Sequence, residues 1–137
     1  MNLTLGLPRV IKFRGKTDDN PSSWVYGLLT TKKNANGNNI MAINTGNALV
    51  PVIPASIGEF TGCLDFNGDE IFEGDILQAG DTAKPYRSLN IKHRPSQITV
   101  RFIMGAFTTD RNINLDEVLA EHEYIIIGNT FETSIKK

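Results

Sequence analysis

The sequence feature that most limits the possible folds of this chain is a series of short runs in which apolar residues recur at every second position. Turn-forming residues follow each run. In residues 97–104, one side of the pattern carries Ile98, Val100, Phe102 and Met104, and the other carries Thr99 and Arg101. A period of two is typical of a strand with one buried face. Asn67-Gly68 lies between two further runs, 57–63 and 71–72, and this dipeptide favours a tight hairpin. The pattern therefore predicts a mostly β protein.

Further runs extend this pattern along the chain. The other segments predicted as strands are residues 10–14, 24–29, 40–43, 48–53, 73–77 and 124–131. Residues 10–14 place Ile11 and Phe13 on one, half-buried face and Lys12 and Arg14 on the other, and the turn formers in 18–23 indicate a hairpin with residues 24–29. Pro51 cannot donate a hydrogen bond to a sheet, so residues 48–53 are expected at an edge or in a connector. Asn114 and Glu117 have the spacing of a helix N-cap and its capping-box partner. Helical spacing then continues through Leu115, Val118, Leu119 and His122. We expect one short helix in an otherwise all-β fold.

Composition indicates a single folded domain over residues 1–137. Apolar residues make up 40% of the 137 residues and charged residues 21%, which is ordinary for a globular protein. The single cysteine, Cys63, cannot close an intramolecular disulfide, and the sequence lacks the residue order of a signal peptide. We therefore expect a cytoplasmic protein. The apolar runs are also too short to span a bilayer, so no membrane association is expected.

The net charge of −1 hides a segregation of charge along the chain. Residues 1–33 carry +4 and residues 34–83 carry −7, whereas residues 84–109 carry +5 and the last 28 residues carry −3. Complementary segments of this kind could let copies associate head to tail or in a closed ring. Self-association is therefore one expected property.

A basic segment lies in the long region 78–97, which has little periodicity. The candidate nucleic-acid-binding residues are Lys84, Tyr86, Arg87, Lys92 and Arg94, together with Arg101. Cations interleaved with an aromatic ring can follow a phosphate backbone while the ring stacks on a base. The alternative is that this segment covers the acidic hairpin of residues 59–75, in the same subunit or in a neighbour. The slightly negative total charge, and the lack of an aromatic platform readable in the sequence, favour the alternative.

The residues that could carry catalysis or bind metal have simpler structural interpretations. Residues 65–70 alternate side-chain oxygens, but Gly68 is the fourth residue, whereas a calcium-binding EF-hand loop needs glycine at the sixth position. Glu73 and Asp75 are expected to cap a turn or to pair with basic residues. His93, His122 and Cys63 lack metal-ligand spacing, and no nucleotide-binding or hydrolase motif is present. We expect no enzyme activity, no metal and no cofactor.

An ordered set of segments resembles the YopX family. These segments are residues 11–15, 52–54, 57–62, 65–76, 105–107 and 124–129. The chain departs from the usual family pattern at Cys63-Leu64 and near its end. The resemblance implies a β-rich protein encoded by bacteriophages and prophages, with an SH3-like barrel and additional strands, and it implies no particular biochemical activity. The sequence thus favours a non-enzymatic accessory protein that binds a host or phage protein; nucleic-acid binding through residues 84–94 is the alternative.

Overall fold

A computed structural model describes residues 10–79, 97–111, 113–121 and 123–132. Of these residues, 54% are in strands and 12% are in helices, and the strands form two antiparallel sheets. The β-rich class with only short helices is therefore confirmed, whereas the SH3-like barrel is not. Contacts divide the chain into two compact units, Met1–Gly62 and Cys63–Lys137. The expectation of a single domain stays a prediction.

The elements of the first unit are β1 (Phe13–Lys16), β2 (Trp24–Lys33), β3 (Asn39–Asn44), β4 (Leu49–Pro51), a 3₁₀ turn (Pro54–Ser56) and β5 (Gly58–Leu64), which continues into the second unit. These strands are neighbours in one sheet in the order β4-β3-β2-β1-β5. The hairpin predicted between the first two strands is confirmed by the antiparallel pairing of β1 with β2. β4 is at the sheet edge, as Pro51 indicated.

Two strands differ from the sequence-based prediction. β1 begins at Phe13, so Ile11, predicted to face the core from a strand over 10–14, lies outside the strand and is exposed. β2 continues to Lys33 although its last four residues are polar, because they pair with β3 in register from Lys33↔Asn39 onward. Threonine favours strands, and for the two lysines pairing with a neighbouring strand outweighs their weak preference for loops.

The strands of the first unit lie close together. The buried apolar side chains of this unit are Ala42, Ile43, Val52 and Phe60. Gly27 lets β2 approach β3 closely, since a Cβ atom on Gly27 would lie 2.0 Å from the backbone oxygen of Asn44. Glycine at this position thus determines how near the two strands can lie.

The elements of the second unit are β6 (Glu70–Phe72), which is hydrogen-bonded to β5, then β7 (Asp75–Ala79), β8 (Gln97–Ile103), β9 (Ala106–Thr109), α1 (Leu115–Glu121) and β10 (Tyr124–Asn129). Four of these strands form a sheet in the order β10-β7-β8-β9. The core consists of the buried residues Ile71, Leu77, Ile98, Val100, Leu115, Val118 and Tyr124. The predicted helix is therefore confirmed, and it contributes two side chains to this core.

The hairpin of β8 and β9 also departs from the prediction. Ile98 and Val100 are buried as expected, but Phe102 and Met104, predicted on the same inward face, are exposed. The reason is that β8 extends beyond the core and turns at Met104-Gly105 into β9, a strand that the sequence did not predict. The inward face of β8 therefore ends at Val100.

Candidate functional site

The β8–β9 hairpin ends in an apolar tip formed by Phe102, Ile103, Met104 and Phe107. Phe102 and Phe107 are cross-strand partners, and their ring centroids lie 4.8 Å apart. Met104 is 99% exposed and has a φ of 53°, and the next residue, Gly105, has a φ of 82°. Two positive φ values are typical of the type I′ turn that closes a two-residue hairpin. The tip is thus a regular hairpin that presents Phe102, Ile103 and Met104 to solvent, while Phe107 is half-buried and packs against the core of the second unit.

A second surface is a face of the first unit's sheet where cations stand beside aromatic rings. We call it the cation–aromatic face; its members are Lys12, Arg14, Lys16, Trp24, Tyr26 and Phe60. The strand register places Arg14 opposite Tyr26 and Lys16 opposite Trp24. The backbone N–H of Phe60 donates to the carbonyl oxygen of Lys12 at 2.7 Å, which fixes β5 beside the start of β1.

Each cation of this face lies over a ring. The Lys12 ammonium is 5.2 Å from the centroid of Phe60, the Arg14 guanidinium is 4.7 Å from Trp24, and the Lys16 ammonium is 5.1 Å from Trp24. These distances are within the range of favourable cation–π contacts. Arg14 and Phe60 are only 8% and 9% exposed, whereas Lys12, Lys16 and Trp24 are half-buried and Tyr26 is 45% exposed. The face is therefore accessible at its lysines and at Tyr26.

The first unit also holds an open cleft of about 810 Å³. Its lining is residues Thr17–Asp19, Thr31, Asn39–Met41 and Val50–Pro54. Most of these side chains are apolar, and the exposed carboxylates Asp18 and Asp19 belong to the same lining. The volume is in the range of pockets for small ligands.

The predicted nucleic-acid-binding residues are mostly outside the described part of the structure. Lys84, Tyr86, Arg87, Lys92 and Arg94 lie outside the described residues, as do His93 and His122. Arg101 is described: it is exposed on β8, opposite Thr108 on β9. The assignment of residues 84–94 to nucleic-acid binding thus stays a prediction.

The acidic hairpin uses its buried carboxylates to hold the backbone. Asp65 is 6% exposed, and its Oδ1 accepts hydrogen bonds from the N–H groups of Asn67 and Asp69, both at 2.9 Å. Its Oδ2 accepts from the N–H of Ile126 on β10 at 3.0 Å. Asp75 Oδ2 accepts from the N–H of Phe72 at 2.7 Å, which confirms the predicted turn-capping role of Asp75.

The remaining candidate residues are placed as follows. Cys63 is half-buried on β5 and packs against the core of the second unit, as expected for a small apolar side chain. Within the described ranges, no group of three or more His, Cys, Asp or Glu is arranged to hold a metal ion. No helix in that same part of the chain is long and apolar enough to cross a membrane.

Sequence reasoning missed both surfaces, although signals for them were present. Lys12 and Arg14 were recognised as one side of a strand, but their pairing with Trp24 and Tyr26 depends on the register of β1 with β2. The alternation of aromatic residues at positions 24 and 26, together with the charge of +4 in residues 1–33, would have indicated the cation–aromatic face. Met104-Gly105, as a possible two-residue turn, would have indicated the apolar tip.

Comparison with known proteins agrees with the resemblance noted in the sequence. No curated protein matches the chain. A similar solved structure is the crystal structure of protein EF1440 from Enterococcus faecalis, which is 25% identical over 95% of this chain and 100% of that chain, with a TM-score of 0.48. The model of the YopX protein family matches residues 12–136, nearly the whole chain. The predicted family is therefore confirmed, and the chain belongs to the YopX family.

Proposed function

We propose that this protein is a phage-encoded accessory protein that acts in the host cytoplasm by binding another protein, without catalysis. The observation that carries the proposal is the apolar tip, where Met104 is 99% exposed at the end of a regular hairpin. The partner is a host or phage protein that offers an apolar groove to this tip. Large apolar side chains grouped on a surface are characteristic of protein-interaction sites.

The turn itself supports a binding role. A positive φ of 53° is unfavourable for methionine, because left-handed backbone costs most residues about 1–2 kcal/mol, whereas asparagine and glycine adopt it readily. Asn-Gly is the preferred pair at a type I′ turn, and Met104 stands where asparagine would suit the backbone better. A residue that lowers local stability and also exposes an apolar side chain is expected at a binding site, where a partner protein covers that side chain.

The position of the hairpin at the edge of its sheet also favours binding of a partner protein. β9 is an edge strand, and edge strands can take part in pairing with another chain. Within the tip, the rings of Phe102 and Phe107 contact each other in a tilted arrangement. The tip therefore offers a compact apolar end, whose burial would contribute about 1.5–3 kcal/mol per fully covered side chain. A few such side chains can supply most of the energy of an interface.

Substitution of Met104 separates binding from folding. Met104→Asn creates the preferred Asn-Gly turn, so we expect unfolding to cost about 0.5–1 kcal/mol more than in the parent. The same change should weaken binding to the partner roughly tenfold or more, because the exposed apolar side chain is lost. The matched control is Asn36→Asp, in the exposed turn between β2 and β3.

A photo-reactive side chain placed at position 104, and at position 36 as the control, identifies the partner in nuclease-treated host lysate. The partner is then purified, and its affinity is measured by calorimetry for the parent and both variants. Cross-linking at 104 but not at 36, followed by weaker binding of Met104→Asn, supports the proposal. Equal cross-linking at both positions, or unchanged affinity of Met104→Asn, overturns it.

Charge segregation supports a further part of the proposal, the association of copies with each other. Oppositely charged segments of one chain can meet on neighbouring copies and form a chain or a ring. Light scattering over a wide concentration range should show a mass that rises above that of one chain and falls again with added salt. A strict monomer at every concentration contradicts self-association and leaves the tip proposal to its own test.

A further inference from the structure

We infer that the cation–aromatic face of the first unit is a binding site for single-stranded nucleic acid. The site is formed by Lys12 and by residues of β1, β2 and β5, and none of its residues belongs to the apolar tip or to residues 84–94. Its observable basis is a row of three cations, Lys12, Arg14 and Lys16, beside the rings of Trp24, Tyr26 and Phe60.

The row has the spacing that an extended phosphate backbone needs. Arg14 and Lys16 are alternate residues of β1, so they share one face of the strand and stand about 6.7 Å apart. This separation is comparable to that of successive phosphates in an extended single strand. Lys12 directly precedes β1 and continues the row, because its carbonyl oxygen accepts from the N–H of Phe60 on β5. Across the row on the neighbouring strands stand Trp24 and Tyr26 on one side, with Gly58 and Phe60 on the other. Positive charge and rings thus alternate over one surface.

The members of the face divide into supporting and contacting residues. Arg14 is 8% exposed and lies over Trp24 at 4.7 Å, so it holds the indole ring in place. Lys12 and Lys16 each hold their ammonium group over a ring, and because both residues are only half-buried, part of each side chain is exposed to a phosphate in solution. Tyr26 is 45% exposed and offers its ring for stacking with a base.

The chemistry of the face favours single strands over other polyanions. Base stacking on aromatic rings, combined with cations along the backbone, is how single strands are bound without reading their sequence. A duplex keeps its bases stacked inside and is usually read by an element that enters a groove, which the flat face of a sheet does not provide. An acidic peptide would use the lysines but would gain little from Tyr26.

Trp24 provides a direct test, because it is the only tryptophan of the chain and belongs to the face. Titration with an oligo(dT) of about 15 nucleotides at about 50 mM salt should quench Trp24 fluorescence. With Lys12 and Lys16 engaged, the logarithm of the affinity should fall with the logarithm of salt concentration with a slope of about −1.4. Duplex DNA and polyphosphate serve as competitors.

Three variants locate the site. Lys12→Gln combined with Lys16→Gln should weaken binding roughly tenfold or more and reduce the salt slope by about 1.4. Tyr26→Leu, which keeps an apolar side chain, should weaken binding roughly tenfold through lost stacking. The matched control, Lys32→Gln with Lys33→Gln, removes the same charge from exposed positions at the end of β2 and should change affinity by less than about threefold.

Circular dichroism confirms that each variant is folded before binding is compared. Quenching by oligo(dT), with losses confined to the Lys12/Lys16 and Tyr26 variants, supports the inference. Absence of binding, equal losses in the Lys32/Lys33 control, or competition by polyphosphate as strong as by oligo(dT) overturns it. Binding that disappears only when Lys84, Arg87, Lys92 and Arg94 are replaced by alanine also overturns it and assigns nucleic acid to that segment.

Discussion

Substitution of Asp65 tests whether one carboxylate joins the hairpin of β5 and β6 to β10. Both oxygens of Asp65 are in use, with Oδ1 accepting from two N–H groups of the turn and Oδ2 from the N–H of Ile126. Asp65→Asn keeps the size of the side chain but places an NH₂ group where one oxygen was. Whichever way the amide turns, at least one backbone N–H loses its acceptor.

The expected cost follows from the burial of these three hydrogen bonds. The bonds from the N–H groups of Asn67, Asp69 and Ile126 are all partly buried, so either orientation of the amide leaves at least one partly buried donor without an acceptor. A buried donor without an acceptor costs about 1–3 kcal/mol, so we expect Asp65→Asn to lower the free energy of unfolding by about 2 kcal/mol. Asp65→Ala removes all three acceptor contacts and should cost about 3–4 kcal/mol. Asp69→Asn, an exposed change in the same turn, should cost less than about 0.5 kcal/mol.

Urea unfolding followed by circular dichroism gives the ranking of the variants, and amide hydrogen exchange shows where the effect lies. Asp65→Ala removes the acceptor of the Ile126 N–H in every case, and a local loss of about 2 kcal/mol corresponds to exchange of the Ile126 amide that is roughly 30-fold faster in this variant. Unchanged protection of the Ile126 amide in Asp65→Ala, or a cost for Asp69→Asn as large as for Asp65→Asn, refutes the role assigned to this carboxylate.

Two further predictions concern glycines of the first unit. Gly27→Ala should lower the free energy of unfolding by more than about 3 kcal/mol, because the new Cβ would lie 2.0 Å from the backbone oxygen of Asn44. Gly37 has a φ of 81° but open space around it, so Gly37→Ala should lower the free energy of unfolding by only about 1 kcal/mol. Trp24 fluorescence during urea unfolding checks both, and equal costs would contradict the close approach of β2 to β3. Gly15→Ala would place a Cβ 2.8 Å from the Cβ of Val52, so we expect about 1–3 kcal/mol of destabilisation. In a double-mutant cycle, Val52→Ala should relieve part of that cost; strict additivity would show that the two residues do not press on each other.

The candidate surfaces were less predictable than the strands that carry them. A strand can be recognised from a few consecutive residues, because the alternation of apolar and polar residues and the presence of turn formers are local properties of the sequence. The cation–aromatic face depends on which residues of β1 meet which residues of β2, and a shift of one residue in that pairing would place Lys16 beside a different side chain. The apolar tip depends on how far β8 extends beyond the core, which alternation alone does not reveal.

The sequence by itself determined the β-rich class, the turn at Asn67-Gly68, the short helix after Asn114 and membership of the YopX family, because each of these depends on residues close together in the chain or on an ordered set of segments. Tertiary structure alone decided the contacts between distant residues. Asp65 and Ile126 are 61 positions apart, and nothing near either one indicates the other. Met104 continues the alternation of β8 in the sequence, yet the turn places it in solvent. Local backbone preference selects the elements, whereas pairing and packing over the whole chain decide which side chains meet.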